Sequence, residues 1–305
     1  MQIHAKGPGA GWSWLARAVN LGRDNPKAIF GGVGLVAVIA MLPSVLQMLV
    51  QYVFKLDAAT SLSVMGVATL LMVLVYPLLI GGLLRVIDAA ERGEPTHATA
   101  IFDTFRGGHD GGRLIGFGML IFAIYIAVFV VVVMLFGKEF FTWYMELINV
   151  SMQPDTAAAT AAASEALEDM PDGLGTLMGV GTIAGLFFGG VYTIGFGQVA
   201  LGGRRAFAAL GDGVVGTLKN VLPIVVLAII AFIALMVFAL VFGIVVALLA
   251  SLGSLIHPAA ALLFAMPAYL GMLLLMYVVM FGVMYYMWRD ICGDAITPAD
   301  DRFEA

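Results

Sequence analysis

Cysteine is almost missing from this chain. Cys292 is the one such residue among 305, so no disulfide can form within it. Charge is scarce too, at 11% of residues, where an ordinary soluble domain carries about 25%. With 62% of residues hydrophobic, a water-soluble globule of this size could not bury its apolar surface, so lipid must serve as solvent. Histidine is confined to His4, His97, His109 and His257. His97, Asp103, His109 and Asp110 share one connection, but their spacing matches no recognised zinc pattern, and no metal site is expected. Gly-x-Ser-x-Gly, His-Glu-x-x-His and Walker sequences are all missing, so no motif points to the hydrolase and nucleotide chemistries they serve. The glycine-rich run Gly107 to Gly112 follows an amphipathic stretch, not a strand, and lacks a phosphate-loop lysine, so it reads as a turn. The middles of the long apolar runs carry no ionisable group, which leaves ion-coupled transport without a relay. No catalytic residue and no cofactor are expected, and the chain reads as a non-enzyme.

What the sequence has in abundance is apolar runs, and six are long enough to cross a bilayer: about 28–54, 62–87, 113–136, 174–200, 214–250 and 258–288. The expected fold is therefore all-α, an integral membrane six-helix bundle in a single polytopic domain over 1–305. Pro43, Pro77, Pro223 and Pro267 lie in or near spans and predict local kinks. The fifth run is long for one crossing, so Leu248 to Ser254 is expected to project or bend. Cations alternate across the runs: of fifteen Lys and Arg, only Lys55 and Lys138 fall on one side. That pattern places both termini in the cytoplasm. On this topology thirteen cations meet twelve carboxylates inside, a net +1, while two meet eight outside, a net −6. A near-neutral inner face argues against nucleic acid as a partner. Met1 to Asn25 lacks a signal-peptide pattern, so the first span is expected to act as an uncleaved signal.

A short amphipathic stretch precedes each odd-numbered span: Trp12 to Gly22, Ala98 to Gly107 and Arg204 to Gly211. Each groups apolar residues three and four apart, so each predicts a helix lying in the cytoplasmic interface, with its terminal glycine turning the chain into the next span. Taking Leu21, Phe105 and Leu210 as equivalent gives offsets of 84 and 105. A threefold internal repeat of interfacial helix, span, span follows, with the excess of 21 accounted for by an external acidic, Ala-rich insertion at 151–172. Just before that insertion, Lys138 to Asn149 sets aromatics beside charges, as interfacial belts do.

Candidate functional residues are few. Gly181, Gly185 and Gly189 in the fourth run have the four-residue spacing that lets helix backbones approach in lipid. They predict a packing face, within the monomer or between copies, and a bulky residue at Gly185 is expected to cost folded protein or oligomer. Tyr192, Thr193 and Gln198 on the same run need polar partners, or line a small cavity that Gln47 or Gln51 would join only if the first and fourth spans met deeply. Arg85 stands three residues from Asp88 and can pair with it, and Arg289 and Asp290 occupy the matching end of the sixth run. Arg85, Arg204, Arg205 and Arg289 read as snorkelling anchors or as contacts for an anionic head-group or ligand. Met272, Met276, Met280, Met284 and Met287 form a stripe that reads as flexible apolar filling.

Gly11-Trp12-x-Trp14, Asn25-Pro26, Glu91-Arg92-Gly93-Glu94, Phe102-Asp103-x-Phe105 and Trp288-Arg289-Asp290-Ile291 together resemble a family of proteobacterial inner-membrane proteins. That family is similar to the membrane domain fused to some glycerophosphoryl diester phosphodiesterases. The resemblance implies a multi-helix cytoplasmic-membrane protein with surface helices between spans. It implies no catalytic residues, since the diesterase activity of those fusions belongs to a separate soluble domain. The expected role is that of a scaffold, assembly or regulatory partner in the cell envelope, with membrane lipids, other membrane proteins or further copies of the chain as partners. The alternative is a channel, transporter or lipid-handling protein with a cavity around the fourth span.

Overall fold

The computed structural model describes residues 2–54, 58–106, 111–151, 164, 171, 173–257 and 260–293. The insertion at 152–163 and 165–170, together with His109 and Asp110, lies outside the described residues. Regular structure among the described residues is helical throughout: α1 (Ala10–Val19), α2 (Pro26–Phe54), α3 (Ala58–Glu91), a 3₁₀ helix (Ala98–Phe105), α4 (Gly111–Phe136), α5 (Lys138–Ser151), α6 (Leu174–Ala200), α7 (Ala206–Lys219), α8 (Val221–Ser254) and α9 (Ala260–Cys292). Six of these helices are long and apolar enough to cross a membrane. Even α4, with 26 residues, reaches about 39 Å at about 1.5 Å per residue, beyond the roughly 30 Å of hydrocarbon.

The fifth span departs from expectation at its start. The apolar run read as 214–250 is cut at Asn220, which separates α7 from α8. Asn220 is fully buried with φ −123° and ψ 26°. Its side chain donates to Gly216 O at 2.8 Å and to His4 O at 3.0 Å, and accepts from the Lys6 amide at 2.7 Å. Pro223 then falls in the first turn of α8, where its missing N–H costs nothing. Gly211, expected to turn the chain, instead lies inside α7, which runs on to Lys219. Helix is favoured there because Gly213 and Gly216 let α7 close on α6: a methyl group at Gly213 would stand 2.6 Å from Val191 O, and one at Gly216 2.9 Å from the Ile194 side chain. The turn at Gly22 is present, with φ 86°. Pro43, Pro77 and Pro267 sit inside continuous helices, and α8 runs unbroken to Ser254.

Packing forms two compact units, 1–120 with 190–305, and 121–189. In the first, α8 packs on α9, α2 on α3, α1 on α8 and α9, and the 3₁₀ helix on α2 and α3. The buried face of α1 is Gly11, Trp14, Leu15 and Ala18, a spacing of three, four and seven residues that makes one stripe. Backbone approach explains its smallest members. A methyl group at Gly11 would strike Pro223 O, and one at Gly282 of α9 would stand 2.9 Å from the Ala18 side chain. Buried side chains gather in 11–36, 78–87, 101–117, 190–224 and 278–292. These residues share the unit's polar end, whereas large apolar side chains along 38–74 and 229–280 are mostly exposed. Of the methionine stripe, Met284 and Met287 join this core and Met276 and Met280 do not. In the second unit, Tyr125 of α4 meets Phe188 of α6 at 6.1 Å, and Phe140 meets Trp143 within α5 at 5.2 Å.

Candidate functional site

The C-terminal turns of α3 and α9 bring charge to the packed end. On α9, Tyr285 and Arg289 stand four apart, as do Tyr286 and Asp290, so the two pairs form adjacent rows. On α3, Asp88 and Glu91 are three apart and share a face. The helices meet so that Tyr285 Oη donates to Asp88 Oδ1 at 3.0 Å and Tyr286 Oη donates to Glu91 Oε2 at 2.6 Å. Asp88 also pairs with Arg92 at 2.9 Å, one helical turn further on.

α1 closes the network from the other side. Trp14 is fully buried, and its Nε1 donates to Asp290 Oδ2 at 2.9 Å. Arg17, three residues on, grips the same carboxylate with both terminal nitrogens, Nη1 reaching Oδ1 at 3.2 Å and Nη2 bonding Oδ2. Its guanidinium also lies 4.6 Å from the centre of the Tyr286 ring, a cation–π contact on the ring whose hydroxyl holds Glu91. Arg289 sits 5.8 Å from the Tyr285 ring centre and donates to its hydroxyl at 3.4 Å.

Of these groups, Arg17, Glu91, Tyr286, Arg289 and Asp290 line an open cavity of about 990 Å³. Lys6 and His4 of the N-terminal segment, with Trp12, Arg23 and Asp24, also line it. The N-terminal segment is held in place by the Asn220 bonds and by the His4 amide, which donates to Ile291 O at 2.9 Å. Four cations (Lys6, Arg17, Arg23 and Arg289) and three carboxylates (Asp24, Glu91 and Asp290) border the space. Two of the carboxylates are engaged, Asp290 by Trp14 and Arg17 and Glu91 by Tyr286. Arg23 is exposed and has no ion-pair partner among the described residues. Pockets of this size are usually lined by apolar side chains with a few polar groups; this one is charged, so it suits a charged ligand.

A second polar cluster lies where α6 ends. Gln198, 1% exposed, donates to Asp212 Oδ2 at 2.8 Å and accepts from Trp288 Nε1 at 3.4 Å. Arg204 binds Asp212 at 2.8 and 3.3 Å, and the hydrogen bond and charge of Asp212 raise its already high pKa. Arg85 Nε donates to Ala200 O at 3.0 Å, and Arg113 bonds Gly203 O. Cations at the C-terminus of a helix satisfy its last carbonyls and its dipole. The expected ligand arginines therefore separate. Arg85 and Arg204 have partners within the chain, Arg205 is exposed outside the cavity, and Arg289 lines it.

The three spaced glycines are placed differently from the sequence expectation for the monomer. A methyl group at Gly181, Gly185 or Gly189 meets no atom of the described residues within 4 Å. Close approach on α6 comes further along: Gly195 against Phe117, and Gly197 against the base of the Trp288 ring. Gln47 pairs with Ser61 at 3.4 Å, between α2 and α3, and the 990 Å³ cavity takes no lining from α6. Trp14, Arg17, Glu91, Tyr286 and Asp290 were not candidates from sequence, because the partners lie 195 to 276 residues apart. Arg17 three residues after Trp14, and the Tyr285-Tyr286 to Arg289-Asp290 spacing, were the local signals available. Comparison with family models, with curated proteins and with solved structures finds no match.

Proposed function

We propose that this chain is a multi-pass protein of a bacterial inner membrane, with both termini cytoplasmic, that acts by recognition at its cytoplasmic end rather than by catalysis. Its role is that of a scaffold or regulatory partner of envelope proteins. The observation that carries this reading is the open, charged cavity assembled from the N-terminal segment, α1, α3 and α9. Asp290 is engaged by Arg17 and Trp14 and Glu91 by Tyr286, so these carboxylates shape the site. The distribution of Lys and Arg along the sequence supports the orientation. The same reading puts α1, the 3₁₀ helix and α7 at the cytoplasmic surface as the first parts of three repeated units, each before an odd-numbered span.

Lipid handling is a second reading, favoured by Trp12, which is 59% exposed and lines the cavity, as interfacial tryptophans do at head-group level. The first reading is tested by placing a photo-crosslinking residue at Arg23 or, as a control outside the cavity, at Arg205. A discrete adduct from position 23 and a different pattern from 205 are expected in intact cells. Identical patterns from the two positions would sink the proposal.

A further inference from the structure

We infer that the cavity at this end binds a phosphate-bearing anion, an inference that rests on the recognition reading above. Four cations line one open space, and they divide by how tightly they are held. Arg17 is fixed by Asp290, by the Tyr286 ring and by Ser13 O at 3.4 Å. Arg289 is steadied on Tyr285, while the ammonium of Lys6 and the guanidinium of Arg23 form no ion pair among the described residues.

An anion arriving here meets Arg17 and Arg289 already oriented and Lys6 and Arg23 not ion-paired among the described residues, and it need not break the Asp290 or Glu91 bonds to reach them. Among anions, a phosphate fits best. Its several oxygens can accept from guanidinium forks and an ammonium together, and charge-assisted bonds of this kind are the strong ones. Nearby Asp24 and Glu91 disfavour a second negative charge beyond the phosphate, and they would accept an ammonium or hydroxyl carried by the rest of the ligand. The source is either a lipid head-group, which Trp12 would flank at the bilayer surface, or a free phosphate ester.

The experiment uses the full chain in mild detergent, titrated by native mass spectrometry with short-chain phosphatidylglycerol, with inorganic phosphate, and with an oligoglutamate peptide. The unchanged chain is compared with Arg23→Gln, Lys6→Gln and Arg289→Gln, and with Arg205→Gln as a cation removed outside the cavity. Phosphatidylglycerol binding that falls about tenfold for each cavity variant, the order of one charge-assisted bond, and that stands in Arg205→Gln, supports the inference with lipid as source. Inorganic phosphate binding with the same dependence supports it with a free ester as source. Variant-dependent binding of the peptide alone overturns the phosphate inference and leaves the recognition reading standing. No variant-dependent binding of any of the three overturns both.

Discussion

Gly197 and Gly185 lie on the same helix, twelve residues apart, and should respond oppositely to one methyl group. At Gly197 the new atom collides with Cγ and Cδ1 of Trp288 and stands 2.7 Å from its Cβ. Those are the atoms nearest the backbone, so the ring cannot swing clear without moving α9. Trp288 is 5% exposed and hydrogen-bonded to Gln198, so relief would disturb a second contact. Overpacking of this kind costs about 1–3 kcal/mol, offset by at most about 1 kcal/mol from exchanging glycine for alanine in a helix. Gly197→Ala should therefore lose about 1–2 kcal/mol. Gly185→Ala meets nothing within 4 Å among the described residues, and should be neutral or slightly stabilising. Thermal unfolding of the two variants in the same detergent, beside the unchanged chain, reads the difference. Equal destabilisation, or the reverse order, would refute the packing argument. Gly185→Leu extends it: unchanged unfolding with a smaller particle by light scattering would assign the Gly181, Gly185 and Gly189 face to contact between copies.

Asp290→Ala strips acceptors from Trp14 Nε1 and Arg17. The ion pair is partly exposed, at 36% and 26%, and contributes about 1 kcal/mol at most, but the orphaned indole N–H adds about 1 kcal/mol or more. A loss of about 2 kcal/mol is expected by thermal unfolding, and Asp290→Asn, which keeps an acceptor for Trp14, should lose about half as much. Asn220→Ala removes two bonds that tie down the N-terminal segment and one to Gly216 O. Limited proteolysis should then cut before Ala10 well before the helices, and equal protection in the variant would count against the clamp. Tyr286→Phe keeps the ring beneath Arg17 and deletes the hydroxyl on Glu91. It should cost about 1 kcal/mol with α1 still seated, whereas Tyr286→Ala should free α1 as judged by hydrogen exchange over Ala10–Val19.

Architecture was legible in the sequence wherever a local signal was sufficient. A run of some twenty apolar residues declares a helix by length alone, and all six runs became long helices. The α7–α8 boundary was hidden because Val214 to Leu218 and Val221 to Val226 are apolar on both sides of Asn220, so hydropathy runs through a break that a buried amide imposes. Glycine spacing left the partner open for a related reason. Four-residue spacing marks a smooth face but not the partner, and glycines that meet one, such as Gly82 beneath Ile101 O and Gly197 beneath Trp288, stand in no four-residue glycine series. The cavity was least visible. Arg17, Glu91 and Asp290 each look like an interface anchor, and only folding brings residues 273 apart into one ion pair.

The placement of the core connects these points. In the larger unit the buried side chains share an end with the cavity, while 38–74 and 229–280 keep large apolar groups exposed. In lipid such groups lose nothing by exposure, because hydrocarbon is as apolar a surrounding as a protein core. Polar backbone ends and charged side chains have no such latitude and must find partners. Packing is accordingly demanded where the chain leaves the spans: the last carbonyl of α6 takes Arg85, Gly203 O just beyond it takes Arg113, Asp290 takes α1, and Asn220 takes the N-terminal segment. The need to satisfy these groups is what stiffens this end, and a stiff end is the part of such a molecule able to hold cations in a fixed arrangement. The paired carboxylates thus do for the site what a hydrophobic core does in water: they fix its walls and leave Arg23 and Lys6 available to a ligand.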